Sequence, residues 1–385
     1  MTVIFMVNKR PYMTFLTIFL LTMPNATANT IGVLTLVGQI VGFLFEIPSG
    51  YVSDKIGHRK ALIISSVVMV LSTACYVFAN NIYWFFAGAI LLSISIAFKS
   101  GTNSAFIYET LTALNKEDRQ AEIEGRMRSV GFIVPIILIL LLAVIAESNF
   151  RLAFGVMLII DIIALFVAIA LVNPHVKEST IKEVDLERFP IIFKKFLKMK
   201  YARYALLTTI IFGIYFGSVI GFRNPFQESL GFSFITISIL WSISRVCISL
   251  LLLVNGKIYK MLTYKQFIII RTLIYATGLT MIGLSSSIWL VAILFIIVTT
   301  INLGLSSTGL QYDLELIGDS NSKATLLSIR AFMGNIFTGL SGLGMGALIV
   351  AHSYPIAYLV VGLSLFGMVV VSLFLFRKSS EMFSA

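Results

Sequence analysis

Gly50-Tyr51-Val52-Ser53-Asp54-Lys55-Ile56-Gly57-His58-Arg59-Lys60 is a charged knot between two long apolar runs, 30–49 and 61–79. Its setting decides the fold class. The chain of 385 residues is 58% hydrophobic and 12% charged, with mean hydropathy +0.96. A soluble domain carries about twice that charge fraction. Further apolar runs fall at 82–104, 129–146, 152–172, 204–222, 233–254, 266–284, 287–309, 325–350 and 355–376. A helix needs about 20 apolar residues to cross the hydrocarbon core. The pattern therefore predicts an all-α polytopic membrane protein, and the knot reads as a tight turn between two spanning helices.

A twelfth span at the N-terminus is expected to be short or atypical. Residues 12–23 are apolar, and Asn8-Lys9-Arg10-Pro11 separates them from Val3–Val7. No A-x-A-like cleavage site is present, so no cleavable signal peptide is expected. Basic residues crowd one set of alternating loops, from Lys55, Arg59 and Lys60 to Arg377 and Lys378, whereas the opposite loops hold Arg151 and Arg223. The positive-inside rule then predicts both termini in the cytoplasm of a bacterial plasma membrane. The net charge of +11 is thereby read as topology rather than as a nucleic-acid surface, and no nucleic acid is expected as a partner. Cys75 and Cys247 fall inside apolar runs and suggest neither a metal site nor a disulfide.

The chain divides near its middle. Residues 173–203 are its longest polar stretch, expected to be a central cytoplasmic loop. Its second part, Phe189–Lys200, reads either as an interfacial amphipathic helix on anionic lipid or as a solvated linker. On either side the halves repeat. Gly50–Asp54 aligns with Gly256–Lys260, Ser104–Glu109 with Thr308–Asp313, and Arg126 with Arg330, at a nearly constant offset. Duplicated six-helix halves are a transporter signature, with the solute site between them near the membrane midplane. The expected bundles are 1–172 and 204–376, followed by a cytoplasmic tail, 377–385.

With these features the chain resembles the major facilitator superfamily. The knot is similar to that family's loop motif G-x-x-x-D-R/K-x-G-R-R/K: Gly50, Asp54, Lys55, Gly57, Arg59 and Lys60 fit, while His58 stands where Arg is usual. The resemblance implies twelve transmembrane helices in two pseudo-symmetric bundles that rock around a central site. It also implies that the knot latches one state of the cycle, with Glu109 as a partner for Arg59. Gly50 and Gly57 would permit close helix approach and a tight turn, and Asp54 would meet backbone N–H groups. In the second copy Lys260 replaces Asp54, so that latch differs in charge.

Ionisable residues inside spans are functional candidates by default. Arg245 is the leading candidate for an anionic solute group or a coupling carboxylate. Asp161 and Glu46 are candidate proton carriers, the first also read as a structural pair and the second as part of the gate. Gln39, Tyr215, Asn302 and Asn335 add neutral polar positions on helices that line the cavity in this family. Lys99 and Arg271 lie near span ends and are expected to snorkel. No nucleotide-binding loop, cofactor site, metal cluster or catalytic constellation is legible, so an enzyme is not expected. The expected function is secondary active transport, with proton-coupled export of a hydrophobic or amphipathic compound as the leading reading. The alternatives are uptake of an anionic metabolite through Arg245, and a non-transporting membrane sensor or scaffold. Small solutes, membrane lipids and protons are the expected partners, and the working unit is expected to be a monomer. Two patterns of drug/proton antiporters are absent: Ala89 and Ser93 replace R-x-x-x-G, and Gly131–Pro135 lacks the glycine pair.

Overall fold

The computed structural model describes residues 10–100, 102–116, 120–172, 196, 200–317 and 323–377. Every regular element among them is helical. A 3-10 turn at Pro11–Thr14 leads into α1 (Leu16–Leu21), α2 (Ala28–Ile56), α3 (His58–Val77), α4 (Ile82–Lys99), α5 (Thr102–Ala113), α6 (Gln120–Ser148) and α7 (Phe150–Ala170). The later elements are α8 (Lys200–Val219), α9 (Arg223–Ser229), α10 (Phe234–Leu253), α11 (Asn255–Met261), α12 (Tyr264–Leu284), α13 (Ile288–Gly304), α14 (Ser306–Ile317), α15 (Lys323–Ala351) and α16 (Tyr354–Arg377). The tail 378–385 and most of the central polar stretch, with its expected amphipathic helix, lie outside the described residues.

Among the described residues, 10 helical segments are long and apolar enough to cross a membrane, and a shorter apolar stretch, Pro135–Ser148, lies on α6. These follow the apolar runs. The N-terminal run stays short, since Arg10 adopts a left-handed φ of 42° and Pro11 opens only a single 3-10 turn. The sequence placed Arg223 in a loop, and the structure corrects this. The chain turns at 220–222 and resumes as α9, with Arg223 fully buried at its start.

The chain forms two compact units. The first comprises Met1–Ala26, Val37–Val184 and Ser233–Ser238; the second comprises Thr27–Leu36, Asp185–Phe232 and Ile239–Ala385. In the first unit α3 packs on α4 and α7. Small side chains set the α3–α4 approach: the Ser65 and Ser95 hydroxyls each donate to the other's backbone carbonyl at 2.7 Å. Such bonds join helices where lipid offers no hydrophobic drive. Below them, the rings of Tyr12, Phe15, Phe19, Tyr76, Phe85 and Phe154 form one cluster with centroid separations of 5.2–5.7 Å.

In the second unit the main pairings are α12 with α16 and α8 with α15. The α8–α15 seam depends on Gly217, where a Cβ would lie 2.2 Å from the Thr338 carbonyl oxygen. Only a residue without a side chain lets these backbones approach so closely.

Candidate functional site

A cavity of about 390 Å³ lies within the second unit. Its wall combines apolar faces (Phe212, Leu310, Leu327, Ala331) with Asn302, Asn335, Arg271 and Arg330. The four helices α8, α13, α14 and α15 supply all of these but Arg271, which comes from α12.

The two guanidinium groups differ. Arg330 forms an ion pair with Asp313, which is almost fully buried. Arg271 is 7% exposed and, among the described residues, has no carboxylate partner. Its charge lies 5.1 Å from the Phe267 ring centroid and 5.9 Å from that of Tyr275, and its Nε has no hydrogen-bond partner. Ring faces attract a cation but leave its N–H donors unused. Behind Arg271 the polar groups interlock: the Tyr275 hydroxyl donates to Asn302 Oδ1 at 3.0 Å, and the Tyr215 ring stacks on that of Tyr275 at 4.2 Å. The wall thus combines apolar side chains with two amides and two guanidinium groups. Such a wall suits a solute with an apolar body and an anionic end.

Among the sequence candidates, Asn302 and Asn335 line this cavity, and Tyr215 buttresses it through Tyr275. Arg245 is half-buried on α10 and is not part of the wall. Gln39 is half-buried and Glu46 is exposed, both on α2. Asp161 lies in a buried network of the first unit, where Arg10 Nη1 donates to both its oxygens, at 3.1 and 2.9 Å. The Thr73 hydroxyl donates to the same carboxylate. Lys99 and Arg271, expected to snorkel, are instead buried at 4% and 7% exposure. Their positions near span ends carried no signal of this, because burial is set by helices distant in sequence.

The loop motif is compact. Helix α2 ends at Ile56 and α3 begins at His58, so Gly57 alone makes the turn, at φ 91°. Among the described residues, a Cβ at Gly50 would meet nothing within 4 Å. Asp54, Lys55 and Lys60 are exposed, and Arg59 is half-buried. Among the described residues Asp54 makes no hydrogen bond or ion pair. Glu109 contacts His58 Nε2 at 3.2 Å, while Arg59 donates to the Ile169 carbonyl at 2.6 Å. The residue departing from the family motif therefore takes the acid expected for Arg59. On its other edge, His58 Nδ1 lies 2.9 Å from the Ser53 hydroxyl, which also meets Thr102. In the second repeat Asp313 pairs with Arg330; the side chain of its counterpart Arg126 lies outside the described residues.

The spans among the described residues define an integral, multi-pass membrane protein. The sequence profile of the Major Facilitator Superfamily matches residues 1–314, and the chain belongs to that family. No curated protein sequence matches the chain. Solved structures share the fold. The nucleoside transporter NupG is 15% identical, with TM-score 0.81 and coverage of 98% of this chain and 97% of that one. A POT family transporter in complex with 5-aminolevulinic acid is 16% identical, with TM-score 0.75 and coverage of 98% and 95%. A D-xylose-proton symporter is 15% identical, with TM-score 0.66 and coverage of 97% and 95%.

Proposed function

We propose that this secondary transporter carries a small amphipathic anion by alternating access, held in the cavity of the second unit. The observation that carries this reading is Arg271, a buried guanidinium on the cavity wall that lies over two ring faces and, among the described residues, has no carboxylate partner. A charge in such a setting is costly until an anion meets it. Phe212, Leu310, Leu327 and Ala331 would take the apolar body, and Asn302 and Asn335 would orient the head.

Proton coupling, in this proposal, runs through Asp313. Its carboxylate holds Arg330 at the cavity edge. Protonation would release that guanidinium toward the solute, and deprotonation would recapture it. Asp313 thus replaces Glu46 and Asp161 as the preferred carrier, because it pairs with a cation of the cavity wall, Arg330.

The test is a paired uptake and efflux screen of cells carrying the full chain, using alkyl and aryl carboxylates against their neutral amides. At least one carboxylate should move and its amide should not, and Arg271→Gln should abolish that flux. Movement of neutral compounds alone, or carboxylate flux untouched by Arg271→Gln, would overturn the reading. Asp313→Asn should remove any dependence of the flux on a proton gradient.

A further inference from the structure

A second buried guanidinium of the second unit lies away from this cavity. Arg223 opens α9, directly after the break at 220–222, and has no exposed surface. Among the described residues it has no carboxylate partner. Its charge lies 4.4 Å from the Trp241 ring centroid and 5.6 Å from that of Phe295. Trp241 is fixed in turn, since its indole N–H donates to Asn224 Oδ1 at 2.7 Å. One guanidinium nitrogen is satisfied: Nη1 donates to Thr299 Oγ1 at 3.1 Å.

The unsatisfied groups form a pattern. Among the described residues, Arg223 Nε and Nη2 are both buried and without partners. These two nitrogens share the side-on edge of the guanidinium, whose parallel N–H groups match two oxygens of a carboxylate. Gln227, one helical turn further on, lies on the same face of α9. It too is fully buried, and both its amide nitrogen and its oxygen are unpartnered. The Tyr358 hydroxyl is also buried without a partner, and its ring packs 5.3 Å from that of Phe295. Buried polar groups are nearly always hydrogen-bonded, and a buried cation without an anion is costly. Here several such groups converge beside one cation, at a break in a long apolar helix. Interrupted membrane helices mark solute and ion sites, because irregular backbone is tolerated only where it lines one.

We infer that Arg223, Gln227 and Tyr358 form a second binding site, for the carboxylate group of a small molecule. The carboxylate takes the Nε–Nη2 edge of Arg223 side-on, and the Gln227 amide and the Tyr358 hydroxyl complete its shell. The aromatic walls of Trp241, Phe295 and Tyr358 limit the site to a small or flat ligand. One helix leads from it toward the cavity already described. On α13, Phe295, Thr299 and Asn302 follow at helical spacing along one face, with Arg223 at one end and the cavity at the other. By the rise of a helix, Phe295 and Asn302 stand about 10 Å apart. The site stands on its own orphaned groups and does not depend on the cavity reading.

The experiment uses the full chain in lipid nanodiscs with Trp84→Phe and Trp289→Phe, which leaves Trp241 as the only tryptophan. Acetate and benzoate are titrated at constant ionic strength while Trp241 emission is recorded, with chloride and inorganic phosphate as separate arms. The carboxylates should give a saturable change. Arg223→Lys keeps the charge but loses the side-on edge, and should raise the half-saturating concentration about tenfold or more. Gln227→Leu should weaken binding in the same direction, and serves if the lysine variant does not fold. Arg271→Lys should leave the titration within about twofold, a difference well below one hydrogen bond. The inference is overturned if no carboxylate alters Trp241 emission or if the Arg223 and Gln227 variants titrate like the parent. A response confined to chloride or phosphate, or one lost with Arg271→Lys, overturns it as well. Failure of the cavity reading shows separately, as carboxylate flux that survives Arg271→Gln.

Discussion

Replacing Asp161 by Asn should destabilise the first unit by about 3–5 kcal/mol, the usual cost of stranding one member of a buried ion pair. Arg10 and Asp161 are 3% and 1% exposed, and Arg10 Nη1 reaches both carboxylate oxygens at 3.1 and 2.9 Å. The Thr73 hydroxyl adds a third bond to the same group. Charge-assisted bonds are worth about 1.5–3 kcal/mol each, so losing the charge on two of them accounts for the total. Asn keeps one acceptor oxygen but leaves the guanidinium buried and uncompensated. Replacing both partners with apolar residues, as Arg10→Met with Asp161→Leu, removes the stranded charge and should cost less than either single change. The assay is reversible unfolding in mixed detergent micelles, run as a double-mutant cycle. An Asp161→Asn protein as stable as the parent would refute the reasoning. So would a double variant whose loss equals the sum of the singles, since the two groups would then not be coupled.

Three further outcomes follow from the same structure. Gly57→Leu places a side chain at φ 91° and should cost about 1–3 kcal/mol as backbone strain, read in the same unfolding assay. Gly217→Leu drives a side chain into the Thr338 carbonyl; overpacking of about 1–3 kcal/mol or more should appear as a lower melting temperature and reduced yield. Asp313→Asn frees Arg330 at the cavity edge and should lower stability by about 3 kcal/mol, an effect that Arg330→Gln added to it should partly reverse.

The apolar runs made the spans legible, because length and hydropathy are local properties. The sequence repeat singled out Asp313 and Arg330, which form an ion pair, and Arg330 lines the cavity. Their pairing could not be read, because both charges also fit a purely topological role. Arg223 was misread for a physical reason. A charge at the end of an apolar run resembles a loop residue, and its burial depends on Trp241 and Phe295 from other helices. Arg271 was misread in the same way, since nothing local separates a snorkelling arginine from one held over Phe267 and Tyr275. The Arg10–Asp161 pair joins residues 151 positions apart, and neither its partner nor its depth has a sequence signal. At the loop motif, the departure at His58 was visible, but its contact with Glu109 was not.

The central claim is that Arg271 receives the anionic end of the transported solute. The most direct measurement is equilibrium binding of a transported carboxylate and its amide to the parent and to Arg271→Gln in nanodiscs. The parent should prefer the carboxylate by about tenfold or more, as one charge-assisted bond implies, and the variant should lose that preference. An undiminished preference for the carboxylate in Arg271→Gln would contradict it.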